Sequence, residues 1–146
     1  MFSELVCFDL YAASRAITAV YRPLLEELGL TYPQYLVMVV LWEDGAVRVR
    51  DLVTRLHLDY GTVSPLVKRL EMAGLVRRER REDDERSVVV TLTDSGRALS
   101  AQARHIPAAI YAATGLDETE LATLRRGLRT LTASAIARAP RPRPAS

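Results

Sequence analysis

The chain has 146 residues, of which 49% are hydrophobic and 26% charged, so it is long enough for one ordinary folded domain. A single cysteine and two histidines exclude an internal disulfide framework and a cysteine-based zinc site, and they predict that no metal is bound. The chain has neither an apolar run of membrane-spanning length nor a basic signal-peptide start, so we expect a protein of the reducing cytoplasm without a membrane partner.

The first part of the chain predicts two helices. Residues 3–22 carry apolar side chains at helical spacing, and Pro23 is expected to end that helix. Pro33 suits the first turn of a second helix. The run "QYLVMVVLWE" is apolar on nearly every side, which predicts that this helix is buried, and Gly45 should terminate it.

The middle of the chain predicts a short strand and two closely spaced helices. The alternation in "VRVR" indicates the strand, and the first helix should cover about residues 50–57. The second helix lies in "LDYGTVSPLVKRLEMAG", with Asp59 as its cap and Gly74 as its stop signal. Pro65 is compatible with this helix only within its first turns.

A charged hairpin follows, and two more helices complete the chain. Residues 75–80 and 87–93 are strand-like arms around an acidic tip. Thr93 can cap a helix over about residues 94–113. "LDETEL" has capping-box spacing and opens a last, leucine-striped helix. The order of helix, strand, two helices and hairpin is that of a winged helix-turn-helix domain, in a mainly α fold with a small β-hairpin wing.

The second helix of this motif has the chemistry for reading DNA. A helix fits the major groove, where its first turns meet base edges and its later cations reach phosphates. Residues 48 to 81 carry nine Arg or Lys against four acids, which predicts an anion-binding face. The predicted DNA-binding residues are Tyr60, Thr62, Ser64, Pro65, Lys68 and Arg69 in the helix, and Arg77, Arg81, Asp84 and Arg86 in the hairpin.

Arg86 is the strongest wing candidate. A narrow minor groove favours an inserted arginine, and Asp84, two residues earlier on the same strand face, can hold its guanidinium in place. The alternative is that "RRERREDDER" is only a solvated run of charges. Its position directly after a helix-turn-helix pattern favours the DNA interpretation.

The segment "LDYGTVSPLVKRLEMAGLVRRERREDDERSVVVTLTDSG" resembles the MarR family of dimeric winged-helix regulators. Within that family, "CFDLYAASRAITAVYRPLLEELGLTYPQYLVMVVLWE" resembles the organic-hydroperoxide-sensing repressors of the OhrR type. Taken together, the resemblance covers about residues 5 to 136. Two departures stand out: Tyr60 replaces a residue that is usually a small Ser, and the absence of a second cysteine excludes the two-cysteine subtype.

This resemblance implies a homodimer that binds a pseudo-palindromic operator in double-stranded DNA, with long helices at both ends of the chain forming the dimer. The predicted organisation is a single domain over 1–138, with dimerisation helices at 3–22 and 94–138, a winged helix-turn-helix at 33–93, and a disordered tail at 139–146.

Cys7 is the candidate redox sensor. A thiolate attacks peroxide oxygen, and both a helix N-terminus and hydrogen bonds from phenols favour the thiolate. Tyr11, four residues on, faces the same way. Tyr21 has nearly that direction too, but fourteen helical residues span roughly 21 Å. Tyr21 could therefore meet only the Cys7 of a partner whose first helix runs antiparallel, as a twofold dimer allows.

The resemblance implies the same arrangement, with Tyr21 and Tyr32 of one subunit bonded to the cysteine of the other. Oxidation of Cys7 by an organic hydroperoxide, followed by capping with a low-molecular-weight thiol, would repack the interface and release the operator. No cofactor is needed for this chemistry.

Two alternatives stay open. In the first, a MarR-type repressor binds a small aromatic effector, and Cys7 is merely a buried small hydrophobe, which is the common state of a free cysteine. In the second, the protein is a thiol peroxidase or reductase. The chain lacks a resolving cysteine and a cofactor motif, so we predict that it is not an enzyme.

Overall fold

The computed structural model describes residues 4–80 and 87–140, and within these ranges it is mainly helical with one small sheet, as predicted. Arg81, Asp84, Arg86 and the segment 141–146 lie outside the described ranges, so their predicted roles stay predictions. The elements are α1 Val6–Glu26, α2 Tyr32–Asp44, β1 Ala46–Arg48, α3 Val49–Leu56, α4 Tyr60–Met72, β2 Val76–Arg80, β3 Val88–Leu92, α5 Asp94–Ala103, α6 Ile106–Thr114 and α7 Glu118–Arg138.

Local side-chain chemistry sets the helix ends, largely where the sequence predicts them. Thr31 and Gln34 form a capping box at the start of α2, and the Asp59 carboxylate accepts the Thr62 backbone N–H at 2.7 Å at the start of α4. Gly74 has a φ of 75°, a backbone conformation that glycine adopts more easily than other residues because it lacks a Cβ atom. It turns the chain from α4 into β2. Pro65 is the sixth residue of α4, within the first two turns, as expected, and it is exposed.

The three strands form an antiparallel sheet in the order β1-β3-β2. Val47 pairs with Val90 on one side of β3, and Val76 pairs with Leu92 on the other. The short β1 therefore joins the hairpin to the helix-turn-helix. The two predicted hairpin arms are confirmed as β2 and β3.

One apolar core holds α2, α3, α4 and the sheet together. Met38, Leu41, Leu52, Val67 and Leu70 are fully buried in it. Burying side chains of this size stabilises the fold by about 1.5–3 kcal/mol each. The prediction that α2 is buried is confirmed, and the rigid core fixes the direction in which α4 presents its outer face.

The predicted end of the first helix at Pro23 is wrong. α1 continues to Glu26, with Pro23 inside it. Proline removes the hydrogen bond to the carbonyl of residue 19, but both residues are exposed, so water can satisfy that carbonyl. Past the proline, Leu25 is buried in the core, and this packing holds the last turn in helical form.

The single helix predicted over about residues 94–113 is also wrong, because the structure divides it. α5 begins at the Thr93 cap, as expected, and ends at Ala103, and α6 starts at Ile106. Pro107 has no N–H to donate back to α5, and it is well placed in the first turn of a new helix. The sequence signal for this break was therefore Pro107.

The chain divides into two compact units between Ile110 and Tyr111. In the second unit, Asp117 and Glu120 form the predicted capping box of α7. The leucine stripe of α7 is exposed, with Leu124 at 46% and Leu128 at 36%. None of the helices among the described residues is long and apolar enough to cross a membrane.

Candidate nucleic-acid interface and thiol site

The outer face of α4 carries most of the predicted DNA-binding side chains. Four buried residues (Val63, Leu66, Val67 and Leu70) hold the inner face against the core. The rest of the helix surface is exposed or partly exposed and includes Tyr60, Thr62, Ser64, Pro65, Lys68 and Arg69. Two cations, small hydroxyl groups and one aromatic ring thus lie together on a single helix, in the first turns and middle where a groove-reading helix needs them.

Met72 was missed by the sequence reasoning. It is 88% exposed at the end of α4, four residues after Lys68 and seven after Pro65, and so belongs to the same outer face. That spacing was the available signal. An exposed apolar side chain beside these cations can contact a thymine methyl group or a sugar.

The hairpin adds Arg77, which is exposed on β2. Arg78, the next residue, points to the other side of the strand, where it is bound to Glu71 of α4. Its Nε donates to Glu71 Oε2 at 2.7 Å, and its backbone N–H donates to Glu71 Oε1 at 3.1 Å. These bonds hold the pKa of the Glu71 carboxyl below its usual value.

Cys7 is the second residue of α1 and is exposed in the single chain. The helix begins without a side-chain cap, and its positive dipole end lies near the sulfur. The side chain is not packed in the core of the chain, which disfavours the interpretation of Cys7 as a small core hydrophobe. Leu5, Val6 and Phe8 beside it are 43–57% exposed.

Tyr11 lies one turn from Cys7 and contacts Arg15. Its hydroxyl accepts a hydrogen bond from Arg15 Nη1 at 3.0 Å, and the guanidinium carbon lies 5.6 Å from the ring centroid. The ring is 59% exposed. The Tyr11 side chain is thus held by Arg15, one turn further along α1, and the guanidinium places a positive charge beside the ring.

Tyr21, Tyr32 and Tyr35, the tyrosine cluster, meet where α1 approaches the start of α2. The rings of Tyr21 and Tyr32 are 4.8 Å apart between centroids, and those of Tyr21 and Tyr35 are 5.8 Å apart. Tyr35 is 6% exposed, which agrees with its predicted packing role. The structure therefore brings two predicted sensor tyrosines together but leaves Cys7 at the opposite end of the unbroken α1.

Burial raises the pKa of these phenols further above physiological pH. Desolvation, followed by repulsion from Tyr32 and Tyr35, raises the pKa of Tyr21 to about 12. Burial also raises the pKa of Tyr32 and that of Tyr35. Each phenol is thus a neutral hydrogen-bond donor at physiological pH, which is the form that stabilises a nearby anion.

A cavity of about 280 Å³ opens beside Tyr21 and Tyr32, and its lining also includes Thr18, Arg22 and Leu30. On the other side of Tyr35, the Trp42 ring lies 6.2 Å away, and its indole N–H donates to the Gly96 carbonyl of α5 at 2.9 Å. The cluster is therefore connected to the first turn of α5 by contacts and one hydrogen bond.

Comparisons with known proteins agree with this architecture. The family model "Transcriptional regulator SarA/Rot" matches residues 19–102. The chain is 44% identical, over 126 residues and 86% of each chain, to the organic hydroperoxide resistance transcriptional regulator of Bacillus subtilis (strain 168). It is similar to the structure of reduced AbfR bound to DNA, with 32% identity, a TM-score of 0.77, and coverage of 92% and 94% of the two chains.

A second similar structure is that of BpsR of Bordetella bronchiseptica, whose DNA binding is regulated by 6-hydroxynicotinic acid. It has 29% identity and a TM-score of 0.79 and covers 87% of this chain and 98% of that one. These relatives are regulators of transcription and not enzymes. With its helix-turn-helix core and hairpin, the chain belongs to the MarR/SarA family of winged-helix transcriptional regulators.

Proposed function

We propose that this regulator is a repressor that senses organic hydroperoxides by oxidation of Cys7 and then releases its operator. The observation that carries the proposal is the layout of α1: an exposed cysteine at its first turn, and the tyrosine cluster, which is at least partly buried, around its fifth turn. The 44% identity to a hydroperoxide resistance regulator supports the same function.

The sensor is complete only in a dimer. A partner whose α1 runs antiparallel places its Cys7 against Tyr21 and Tyr32 of this chain. Twofold symmetry generates a second, identical site in which Cys7 of this chain meets the tyrosines of the partner. The exposed apolar side chains at the start of α1, and the exposed leucines of α7, are the kind of surface that such an association buries. The two phenols then donate to the sulfur and stabilise its anion.

The oxidation step balances without a cofactor. The thiolate attacks the outer oxygen of the hydroperoxide, an S–O bond forms while the O–O bond breaks, and the alkoxide leaves and takes up a proton as an alcohol. The resulting sulfenic acid condenses with a low-molecular-weight thiol, and water is lost as a mixed disulfide forms. The phenols lose their anionic acceptor, and the added group requires space among the rings.

The signal has a direct route to the DNA-binding part. Tyr21 packs on Tyr35, Tyr35 on Trp42, and Trp42 is hydrogen-bonded to Gly96 in α5. Gly96 in turn packs tightly on the Leu75 carbonyl at the base of β2. Repacking of the cluster shifts the base of the hairpin and the spacing of the two α4 helices. Because half-site spacing is a rigid requirement, affinity for the operator falls.

The test is operator binding with and without oxidant. The parent protein is bound to the DNA upstream of its own gene and treated with cumene hydroperoxide. We expect the complex to dissociate and mass spectrometry to find an adduct on Cys7. Cys7→Ser should bind the operator as the parent does and remain bound in oxidant. Release of Cys7→Ser by the same treatment would show that sensing resides elsewhere.

A second candidate function is response to a small aromatic effector, which the likeness to BpsR favours. A cavity of about 300 Å³ between α2 and α5–α6 has a suitable lining that includes Tyr35, Trp42 and Arg104. Under this alternative, an aromatic acid such as 6-hydroxynicotinic acid releases DNA from the parent and from Cys7→Ser alike, and cumene hydroperoxide releases neither.

A further inference from the structure

Glu71 holds the hairpin to the end of the recognition helix through two hydrogen bonds. It lies in the last turn of α4, and Arg78 lies in β2, just beyond the turn at Gly74. One carboxylate oxygen accepts the backbone N–H of Arg78 at 3.1 Å, and the other accepts its Nε at 2.7 Å. The side chains are only 34% and 32% exposed. A single carboxylate therefore fixes both the main chain and the side chain of one strand residue.

The sheet order explains why this contact matters. β2 is an edge strand, because β3 lies between it and β1. The backbone N–H of Arg78 does not point to β3 but outward, and Glu71 satisfies it. The strand is thus hydrogen-bonded on one side to β3 and on the other to α4, and its angle to the helix is fixed from both sides.

We propose that Glu71 and Arg78 act as a positioning pair that sets the angle between the recognition helix and the wing, and so the simultaneous fit of both to DNA. Arg78 has this structural task, whereas its neighbour Arg77, on the opposite face of β2, is free to meet phosphate. The inference rests on the proposed use of α4 and the hairpin in DNA binding.

A charge-matched pair of variants tests the proposal. Glu71→Ala and Glu79→Ala each remove one negative charge from the vicinity of the hairpin, and Glu79 is exposed on β2. Electrostatics alone predicts that both variants bind DNA as tightly as the parent or more tightly, because repulsion from phosphate is reduced. The positioning role predicts the opposite sign for Glu71→Ala, namely about tenfold weaker operator binding, the size expected from loss of a charge-assisted hydrogen bond.

The salt dependence separates mispositioning from partial unfolding. Loss of one phosphate contact per wing lowers the slope of log affinity against log salt by about 1.8 for the proposed dimer, because each contact contributes about 0.9. A smaller fraction of folded protein lowers the active concentration and leaves the slope unchanged. Glu71→Gln keeps an acceptor for the Arg78 backbone N–H but loses the ion pair, so its affinity should lie between those of the parent and Glu71→Ala.

The proposal is overturned if Glu71→Ala matches Glu79→Ala in both affinity and salt slope while the parent binds the operator. Failure of the parent to bind any operator duplex is a different result, which contradicts the proposed function itself.

Discussion

Replacing Tyr21 by Phe removes one hydroxyl group and preserves the ring that packs 4.8 Å from Tyr32 and 5.8 Å from Tyr35. In the proposed dimer this hydroxyl donates to the partner's thiolate. A hydrogen bond to a charged group contributes about 1.5–3 kcal/mol. Its loss lowers the thiolate fraction by about tenfold to hundredfold when most of the sulfur is protonated.

The measured rate should fall less than the thiolate fraction. A less stabilised thiolate is a better nucleophile, and with a Brønsted coefficient of about 0.4–0.5 roughly half of the logarithmic loss is recovered. We therefore expect Tyr21→Phe to slow single-turnover oxidation of Cys7 about threefold to tenfold, measured by stopped-flow mixing with cumene hydroperoxide and trapping of the remaining thiol.

Tyr35→Phe is the matched control for this experiment. It removes a hydroxyl from the most deeply buried ring of the same cluster, which packs on Tyr21 on one side and on Trp42 on the other. We expect its oxidation rate to equal that of the parent. Equal rates for Tyr21→Phe, Tyr35→Phe and the parent would refute the phenol–thiolate bond.

Four further outcomes are expected. Gly96→Ala should lose about 1–3 kcal/mol of stability in thermal unfolding, because a Cβ there overlaps the Leu75 carbonyl oxygen; an unchanged melting temperature would contradict this packing. In alkaline titration monitored at 295 nm, a phenolate should form near pH 12 and be absent in Tyr21→Phe; since the unfolded chain loses that proton near 10.0, stability should fall as the pH rises between these values. Lys68→Ala should weaken binding to all sequences and reduce the salt slope, whereas a sequence-selective loss would indicate a base contact. Arg86→Ala should also weaken binding broadly with a shallower slope, and an unaltered slope would mean that it meets neither backbone nor groove.

The helix-turn-helix could be predicted from sequence because its signals are local. The caps at Asp59 and Thr93 and the stop at Gly74 act within a few residues, and each lies where it was expected. The proline signals were less reliable. Pro23 does not end α1, since the packing of Leu25 outweighs one lost hydrogen bond, and Pro107 begins a helix that periodicity alone had joined to the preceding one.

The DNA-binding face and the thiol site were predictable only in part, because local sequence patterns do not determine which side chains of different elements come into contact. The charge run of the hairpin gives no indication that Arg78 is bound to Glu71 while Arg77 is exposed. Only the register of β2 against β3, together with its approach to α4, decides that. Likewise, helical spacing relates Cys7 to Tyr11 and Tyr21, but the packing of Tyr21 on Tyr32 depends on how α1 meets α2.

In the proposed dimer the tyrosines act on the cysteine of the other subunit, and the oxidation rates of mixed dimers distinguish this from action within one subunit. In a dimer of Cys7→Ser with Tyr21→Phe, the one remaining cysteine faces an intact Tyr21 from its partner, so we predict oxidation at the parental rate. In a dimer of the parent with the double variant Cys7→Ser/Tyr21→Phe, the one remaining cysteine faces the phenylalanine that replaces Tyr21 in its partner. We therefore predict the slow oxidation rate of Tyr21→Phe. The reverse order of these two rates would place the tyrosine in the same subunit as the cysteine on which it acts and would contradict a sensor shared between two subunits.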